Sequence, residues 1–190
     1  LSDVFIHAFT DGRDTDPKSG RGFLEDLQAH LDKTVGKIAS VTGRYYAMDR
    51  DKRWQRVQLA YDAMVKGVGE KTRDIFAAIA ASYAAGVTDE FIKPVIHTDA
   101  AGQPLAVIRP HDVVICFNFR TDRCREITTV LTQEDMPAGG DAAAEEGMHK
   151  LPLDYTTMTE YDKTFRGISV IFENEDLSRT IGEILAENNI

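Results

Sequence analysis

Five arginines and one aspartate in this sequence have the types and positions that could bind a charged small molecule. They occur in the segments DGRD, GRYYAMDR and NFRTDR, each of which follows an apolar run typical of a β-strand. The guanidinium group stays protonated, and its planar fork matches the oxygens of a carboxylate or a phosphate. A phosphate ester carries about −1.5 to −2 charges near neutral pH, so one such group can engage several arginines. The candidate residues are Arg13, Asp14, Arg44, Arg50, Arg120 and Arg123.

Alternating strand and helix patterns must position these residues. Stretches with apolar residues at helical spacing separate short apolar runs, which predicts an α/β fold with a mainly parallel sheet covered by helices on both faces. The strand-like runs are DVFIHAF, KIASVTG, EFIKPVIH, DVVICFNF and ISVIFE, and the helical stretches are residues 19–33, 51–66, 70–86, 121–133 and 177–188. The nearly continuous apolar run DVVICFNF is expected to be a covered central strand. Pro94 favours an edge position or a bulge for its strand.

The arginines fall at equivalent ends of separate strands. Ligands of open α/β sheets bind beyond the carboxyl ends of the strands, and a helix beginning near Thr121 would add its positive N-terminal end there. Asp14 and Asp122 could orient the arginines or accept a hydrogen bond from a substrate hydroxyl. Each segment alone has a plainer interpretation, since DGRD is a common turn and MDRDKR a common solvated helix start. Their shared position favours an anion site.

Composition excludes several classes of function. The net charge of −9 and a pI near 5.0 argue against nucleic acid as a partner. No apolar run approaches the ~20 residues of a membrane helix, so we expect no membrane partner. Cys116 and Cys124 are interpreted as reduced thiols of a reducing compartment, which indicates the cytoplasm.

The histidines give no metal motif, and no nucleophile-elbow, Walker or dinucleotide fingerprint occurs. We therefore expect no metal ligands in this chain and interpret His7, within the first strand, as a core histidine. The opening without methionine and the end directly after a helix-like segment suggest a piece of a longer protein.

Several of these motifs, in order along the chain, resemble one known family. HAFTDGRDTDP, GKIASVTGRYYAMDRDKRW, GVTDEFIKP, DVVICFNFRTDR and LDYTTMTEYD are similar to the phosphotransferase domain of cofactor-independent phosphoglycerate mutases. The likeness runs from about residue 3 to the last helix. The resemblance implies a domain inserted in a two-domain enzyme of glycolysis and gluconeogenesis. That enzyme interconverts 3-phosphoglycerate and 2-phosphoglycerate through a phosphoserine intermediate.

The resemblance also implies roles for individual residues. Residues 1–190 would be a single substrate-holding domain, inactive alone, whose partners are the two phosphoglycerates. By motif position, the five arginines would contact substrate, and Asp14 would contact a glycerate hydroxyl and assist proton transfer. The nucleophilic serine and two divalent metal ions, commonly manganese, would lie in a phosphatase-like domain absent from this sequence. The parent enzyme is expected to be a monomer.

One alternative of another class stays open. The acidic stretch at residues 135–147 could make this chain a noncatalytic interaction module that docks a partner through its acidic surface.

Overall fold

The computed structural model describes residues 2–136, 147–173 and 180–188. The strands are β1 (Phe5–Thr10), β2 (Lys37–Gly43), β3 (Glu70–Thr72), β4 (Val95–His97), β5 (Val113–Cys116), β6 (Asp154–Thr159) and β7 (Ile168–Phe172). The helices are α1 (Gly20–Leu31), α2 (Arg44–Ala47), α3 (Trp54–Tyr61), α4 (Ile75–Ala84), α5 (Arg125–Thr128) and α6 (Ile181–Glu187). Asp62–Lys66 and Thr129–Gln133 continue α3 and α5 as π-helical turns, and Asp89–Phe91 is a 3₁₀ turn.

The strands form two sheets. The first has the order β1-β2-β4-β3, in which β1 pairs parallel with β2, β4 antiparallel with β2, and β3 parallel with β4. The second has the order β5-β6-β7 and is parallel throughout. The predicted α/β class with mainly parallel pairing is confirmed, and the strands are divided between two sheets.

Two apolar clusters hold these layers together. The first joins α1 and α4 to the four-stranded sheet, and the second joins α3 and α5 to the three-stranded sheet. Buried members of the first include Leu24, Leu31, Ile38, Val41, Ile75, Ile79 and Val95. Buried members of the second include Val57, Tyr61, Met64, Ile127, Val130, Leu131 and Tyr155. No helix of the described residues is long and apolar enough to cross a membrane.

The prediction that DVVICFNF is a covered central strand is wrong. β5 lies at the edge of its sheet, and only alternate side chains, Val114 and Cys116, pack on the second cluster. The opposite face carries Val113, Ile115 and Phe117, whose side chains are 73%, 60% and 79% exposed. A continuous apolar run indicates that both faces favour burial, but it does not show which segment covers each face.

The edge position predicted from Pro94 is also wrong. β4 lies between β2 and β3 inside its sheet, and Pro94 comes one residue before it. There the missing N–H costs no ladder hydrogen bond, while the Pro94 carbonyl accepts from the Glu70 N–H at 2.9 Å. Residues 70–72, predicted as part of a helix, form β3 because they pair with β4.

Two further boundaries differ from the sequence patterns. The helix expected from about Thr121 begins at Arg125, because residues 121–124 form a turn. β6 was not predicted, although its alternating residues DYTTMT are typical of a strand. Most of the acidic stretch at 135–147 lies outside the described residues, so the interaction-module alternative gains no support from the described structure.

Gly43 ends β2 at a point of close backbone approach. A Cβ atom there would lie 2.4 Å from the Glu90 carbonyl oxygen and 2.6 Å from that of Asp89. The Gly43 N–H also donates to the Ile92 carbonyl at 2.8 Å. The absence of a side chain at residue 43 therefore lets the 3₁₀ turn pack against the end of β2, immediately before Arg44.

Replacing Gly43 with alanine is expected to lower the free energy of unfolding by about 1–3 kcal/mol, because backbone atoms must move apart. Gly22, inside α1, is the matched control, since a Cβ there meets nothing within 4 Å. Gly22→Ala should instead raise the free energy of unfolding by about 0.5–1 kcal/mol. Urea denaturation of both variants measures the difference, and equal effects of the two substitutions would contradict the packing argument.

Candidate functional site

The carboxyl ends of β1 and β2 lie side by side, with Thr10 opposite Gly43. The DGRD turn leaves β1 at this point, and Arg44 leaves β2. Asp11 shapes the turn, because its Oδ1 accepts the backbone N–H groups of Arg13 and Asp14, both at 2.9 Å. This side chain-to-backbone bonding is the usual way in which aspartate stabilises a turn.

Arg44 is the buried centre of the site, with a side chain only 3% exposed. Its Nη1 donates to Asp11 Oδ1 at 2.6 Å and to Asp14 Oδ2 at 2.8 Å. The hydrogen bond and the charge of Arg44 lower the pKa of Asp14 below its ordinary value. Asp14 is thus held as an ionised carboxylate at neutral pH.

Asp14 also links this turn to the NFRTDR segment that follows β5. Arg120 Nη1 lies 3.4 Å from Asp14 Oδ2. The Nε and Nη2 atoms of Arg120 donate to the two oxygens of Asp122, each at 3.1 Å. Carboxylates therefore join residues that are more than one hundred positions apart in the chain.

Asp122 binds a second arginine of the predicted set. Arg50 Nη1 donates to Asp122 Oδ2 at 2.8 Å. Although burial opposes ionisation, hydrogen bonds from Arg120 and Arg50 lower the pKa of Asp122 to about 2. The orienting role expected of Asp122 agrees with these contacts.

Arg123 has unused hydrogen-bonding capacity. Its side chain is 15% exposed, and its buried Nε finds no hydrogen-bond partner within the described part of the chain. Its Nη1 donates to the Met48 carbonyl at 3.3 Å. Burial and the positive charges of Arg44 and Arg50 lower the pKa of the Arg123 guanidinium. An anion placed here would supply both an acceptor and a compensating charge.

An open cleft of about 240 Å³ lies between these segments, and Arg13, Arg44 and Arg123 line it. Arg13 is the most exposed of the three, at 64%, and its Nη1 contacts Glu90 Oε1 at 3.3 Å. The structure therefore brings the predicted residues together beyond the carboxyl ends of β1, β2 and β5, with Arg50 and Arg120 attached through Asp122.

Other residues in and around this cleft were not predicted from the sequence. Asp11 and Glu90 each bind a predicted arginine, and Arg56 stacks 3.7 Å above the ring of Tyr45. Asp11 had a local signal, because it precedes glycine in a turn. The contacts of Glu90 and Arg56 had no local signal in the sequence. Glu90 contacts Arg13, which is distant in the chain, and Arg56 contacts a tyrosine of a different helix.

The remaining candidates agree with their plainer interpretations. His7 Nδ1 lies 2.7 Å from Ser40 Oγ, and burial lowers the pKa of His7 to about 4, so it is neutral at physiological pH. Cys116 and Cys124 are free thiols. Among residues 2–136, 147–173 and 180–188, no three histidine, cysteine or acidic side chains group into a possible metal site.

The profile of the family described as BPG-independent PGAM N-terminus matches residues 1–163. The chain belongs to this family. Its predicted resemblance to the cofactor-independent phosphoglycerate mutases is thereby confirmed.

Named relatives support the same assignment. The 2,3-bisphosphoglycerate-independent phosphoglycerate mutases of Parabacteroides distasonis and Bacteroides fragilis strain YCH46 are 54% and 52% identical to this chain over 187 and 189 residues. The matches cover 98% and 99% of this chain and 35% of each relative. This chain thus spans about a third of the length of these relatives.

A solved structure is similar in fold. The protein described in "Crystal structures of Leishmania mexicana phosphoglycerate mutase at low cobalt concentration" aligns with a TM-score of 0.82 and 29% identity. The alignment covers 100% of this chain and 35% of that chain. Which residues of the cleft contact a ligand stays a prediction.

Proposed function

We propose that this chain is the substrate-holding domain of a 2,3-bisphosphoglycerate-independent phosphoglycerate mutase. In this proposal residues 1–190 are one domain of a monomeric cytoplasmic enzyme that interconverts 3-phosphoglycerate and 2-phosphoglycerate. The phosphoryl group rests on a serine of another domain while this domain holds the glycerate. The observation that carries the proposal is the partly desolvated Arg123, which has other arginines close by. Its Nε lies 4.0 Å from Asp122 Oδ2 and has no hydrogen-bond partner among the described residues.

The charges of the cleft suit the substrate. A phosphoglycerate carries a carboxylate and a phosphate, and each can accept two hydrogen bonds from one guanidinium group. Five arginines line the cleft against three carboxylates: Arg13, Arg44, Arg53, Arg56 and Arg123 with Asp49, Asp51 and Glu90. A domain of net charge −9 thus concentrates positive charge where an anion is to be held.

Asp14 is the residue suited to move a proton. Its carboxylate is ionised at neutral pH, and it is 56% exposed beside the cleft. It can accept the proton of a glycerate hydroxyl as that oxygen attacks the phosphoserine, and it returns the proton when the phosphoryl group leaves. Arg44 and Arg120 hold the carboxylate in place from two sides.

The divalent ions belong, in this proposal, to the other domain, and manganese is the metal we expect there. Such ions would neutralise charge on the phosphoryl oxygens during transfer. The exposed apolar face of Val113, Ile115 and Phe117 supports the view that this chain works joined to further structure.

The test is substrate binding by the full-length enzyme with Arg123→Ala or Arg120→Ala. We expect the Kd for 3-phosphoglycerate to rise about 30-fold or more for Arg123→Ala, since a desolvated charge contact is lost. Arg120→Ala should weaken binding less, because that side chain is 43% exposed. Isothermal titration calorimetry measures each Kd.

Arg21→Ala is the matched control, because Arg21 is a 44% exposed arginine paired only locally with Glu25 on α1. Its Kd should stay within about twofold of the unmodified enzyme. Binding by the Arg123 and Arg120 variants that equals binding by this control would refute the site.

A further inference from the structure

Two buried carboxyl groups lie behind the arginine cluster. Glu126, on α5, and Asp49, just after α2, are each 6% exposed. Asp49 begins the loop at residues 49–53, which includes Arg50, and α5 follows the turn that bears Arg120 and Arg123. The pair therefore joins the two segments that meet at Asp122.

If both groups of this pair are ionised, one buried oxygen is left without a hydrogen-bond donor among the described residues. Glu126 Oε1 accepts the Lys52 N–H at 2.7 Å, but Oε2 is buried and reaches no donor among the described residues. The Lys52 N–H that binds Glu126 lies between the Asp51 and Arg53 N–H groups that bind Asp49, so the two carboxyl groups are close neighbours. Two buried carboxylates only accept hydrogen bonds and repel each other, so such a pair favours one shared proton.

The surroundings show which group holds the proton. Asp49 Oδ2 accepts the N–H groups of Asp51 and Arg53 at 3.0 and 2.9 Å, and Arg56 lies 3.7 Å from its Oδ1. Among the described residues, Glu126 accepts from one backbone donor, the Lys52 N–H. Burial and the neighbouring Asp49 raise the pKa of Glu126 to about 7. Despite burial, the N–H of Arg53 and the hydrogen bond from Glu126 lower the pKa of Asp49.

We propose that Glu126 is a positioning residue whose neutral acid donates from Oε2 to Asp49 and thereby fixes the loop carrying Arg50 against α5. The inference rests on the proposed function for its consequence in substrate binding. The backbone of Lys52 supports it, because φ is 56° there, a conformation that non-glycine residues seldom adopt. The hydrogen bond from the Lys52 N–H to Glu126 holds this conformation.

Raising the pH should release the loop. The facing charged groups are Asp51, Lys52 and Arg53 from the loop and Arg56 from α3, while Arg123 and Arg125 flank Glu126 on its own segment. Arg56 lies on the Asp49 side, and none of these described side chains donates to Glu126 Oε2. When Glu126 loses its proton, two adjacent buried carboxylates repel each other, and the Arg50–Asp122 contact is weakened.

The direction of the pH effect on stability follows from the pKa of Glu126 in the folded and unfolded states. The ordinary pKa of glutamate is 4.5, and in the folded protein it is raised to about 7. The folded state therefore keeps this proton to higher pH than the unfolded chain. Its stabilising effect is complete below pH 4.5 and is lost as the pH rises through about 7.

The experiment compares Glu126→Gln and Glu126→Leu with the unmodified full-length enzyme between pH 6 and 8.5. Glutamine keeps a neutral donor at every pH, whereas leucine has none. At pH 6 we expect the Kd of Glu126→Gln for 3-phosphoglycerate to equal that of the unmodified enzyme. At pH 8.5 the Kd of Glu126→Gln should be about tenfold lower than that of the unmodified enzyme. Glu126→Leu should bind more weakly at both ends. Titration of the substrate affects every variant equally, so it cancels in the ratio of the variant Kd to the unmodified Kd at each pH. Glu25→Gln, which changes an exposed glutamate on α1, is the control.

Two results would overturn the proposal: a Glu126→Gln profile parallel to that of the unmodified enzyme, or weakening by glutamine as large as that by leucine. Urea unfolding over the same pH range requires no ligand. It should show stability falling with pH in the unmodified enzyme and a smaller fall in Glu126→Gln. If no variant binds phosphoglycerate, the proposed function fails, and the unfolding profiles still decide whether Glu126 holds the proton.

Discussion

Replacing Asp14 with asparagine in the full-length enzyme is expected to lower kcat by about 10²- to 10⁴-fold, the usual contribution of a general base. Asparagine is nearly the same size and its carbonyl oxygen can still accept from Arg44, but it cannot take a proton. The Kd for 3-phosphoglycerate should therefore change much less than kcat. Turnover is measured by coupled assay and Kd by calorimetry.

Asp16→Asn is the matched control for that substitution. Asp16 is exposed in the same segment, and its carboxylate accepts the nearby Lys18 N–H at 3.0 Å. Its kcat should remain within about twofold of the unmodified enzyme. Unchanged turnover in Asp14→Asn would show that Asp14 has no part in the mechanism.

Because Arg44 lowers the pKa of Asp14 below its ordinary 3.8, deprotonation of Asp14 should not limit turnover at neutral pH.

Arg44→Ala is expected to damage both binding and stability. The substitution removes a buried guanidinium and leaves Asp11 and Asp14 close together without their shared cation. We expect about 2 kcal/mol lower unfolding free energy and about 100-fold weaker binding of 3-phosphoglycerate. Denaturation and calorimetry measure the two effects separately.

Two further variants sharpen this prediction. Arg44→Lys should recover part of the stability but little of the binding, because an ammonium group lacks the planar fork. Arg109→Ala, which removes an exposed arginine in the loop before β5, should change neither quantity appreciably. A binding loss in Arg44→Ala that merely follows its loss of folded protein would show a structural role alone.

Much of this molecule could be predicted from local pattern. The apolar spacing of residues 19–33 predicted α1, and the β-branched run at residues 37–43 predicted β2. The position of arginines directly after strands also pointed to one shared end. Such features can be predicted because strand and helix periodicity, turn formation and charge depend on residues that are neighbours in the sequence.

Other features depended on contacts that no local pattern encodes. β5 has the most apolar sequence yet lies at an edge, since strand order depends on the packing of whole elements. The isolated segment MDRDKR did not indicate that Asp49 would lie beside Glu126, a residue 77 positions later.

The sequence by itself determined which charges are present, most of the helical and extended segments, and that the candidate arginines follow strands at equivalent ends. Only the tertiary structure decided that Asp14 connects Arg44 with Arg120, and that the buried Nε of Arg123 has no hydrogen-bond partner among the described residues. The physical reason is that residue type and periodicity act locally. Ion pairing, desolvation and shared protons depend instead on distances that arise when separate elements pack together.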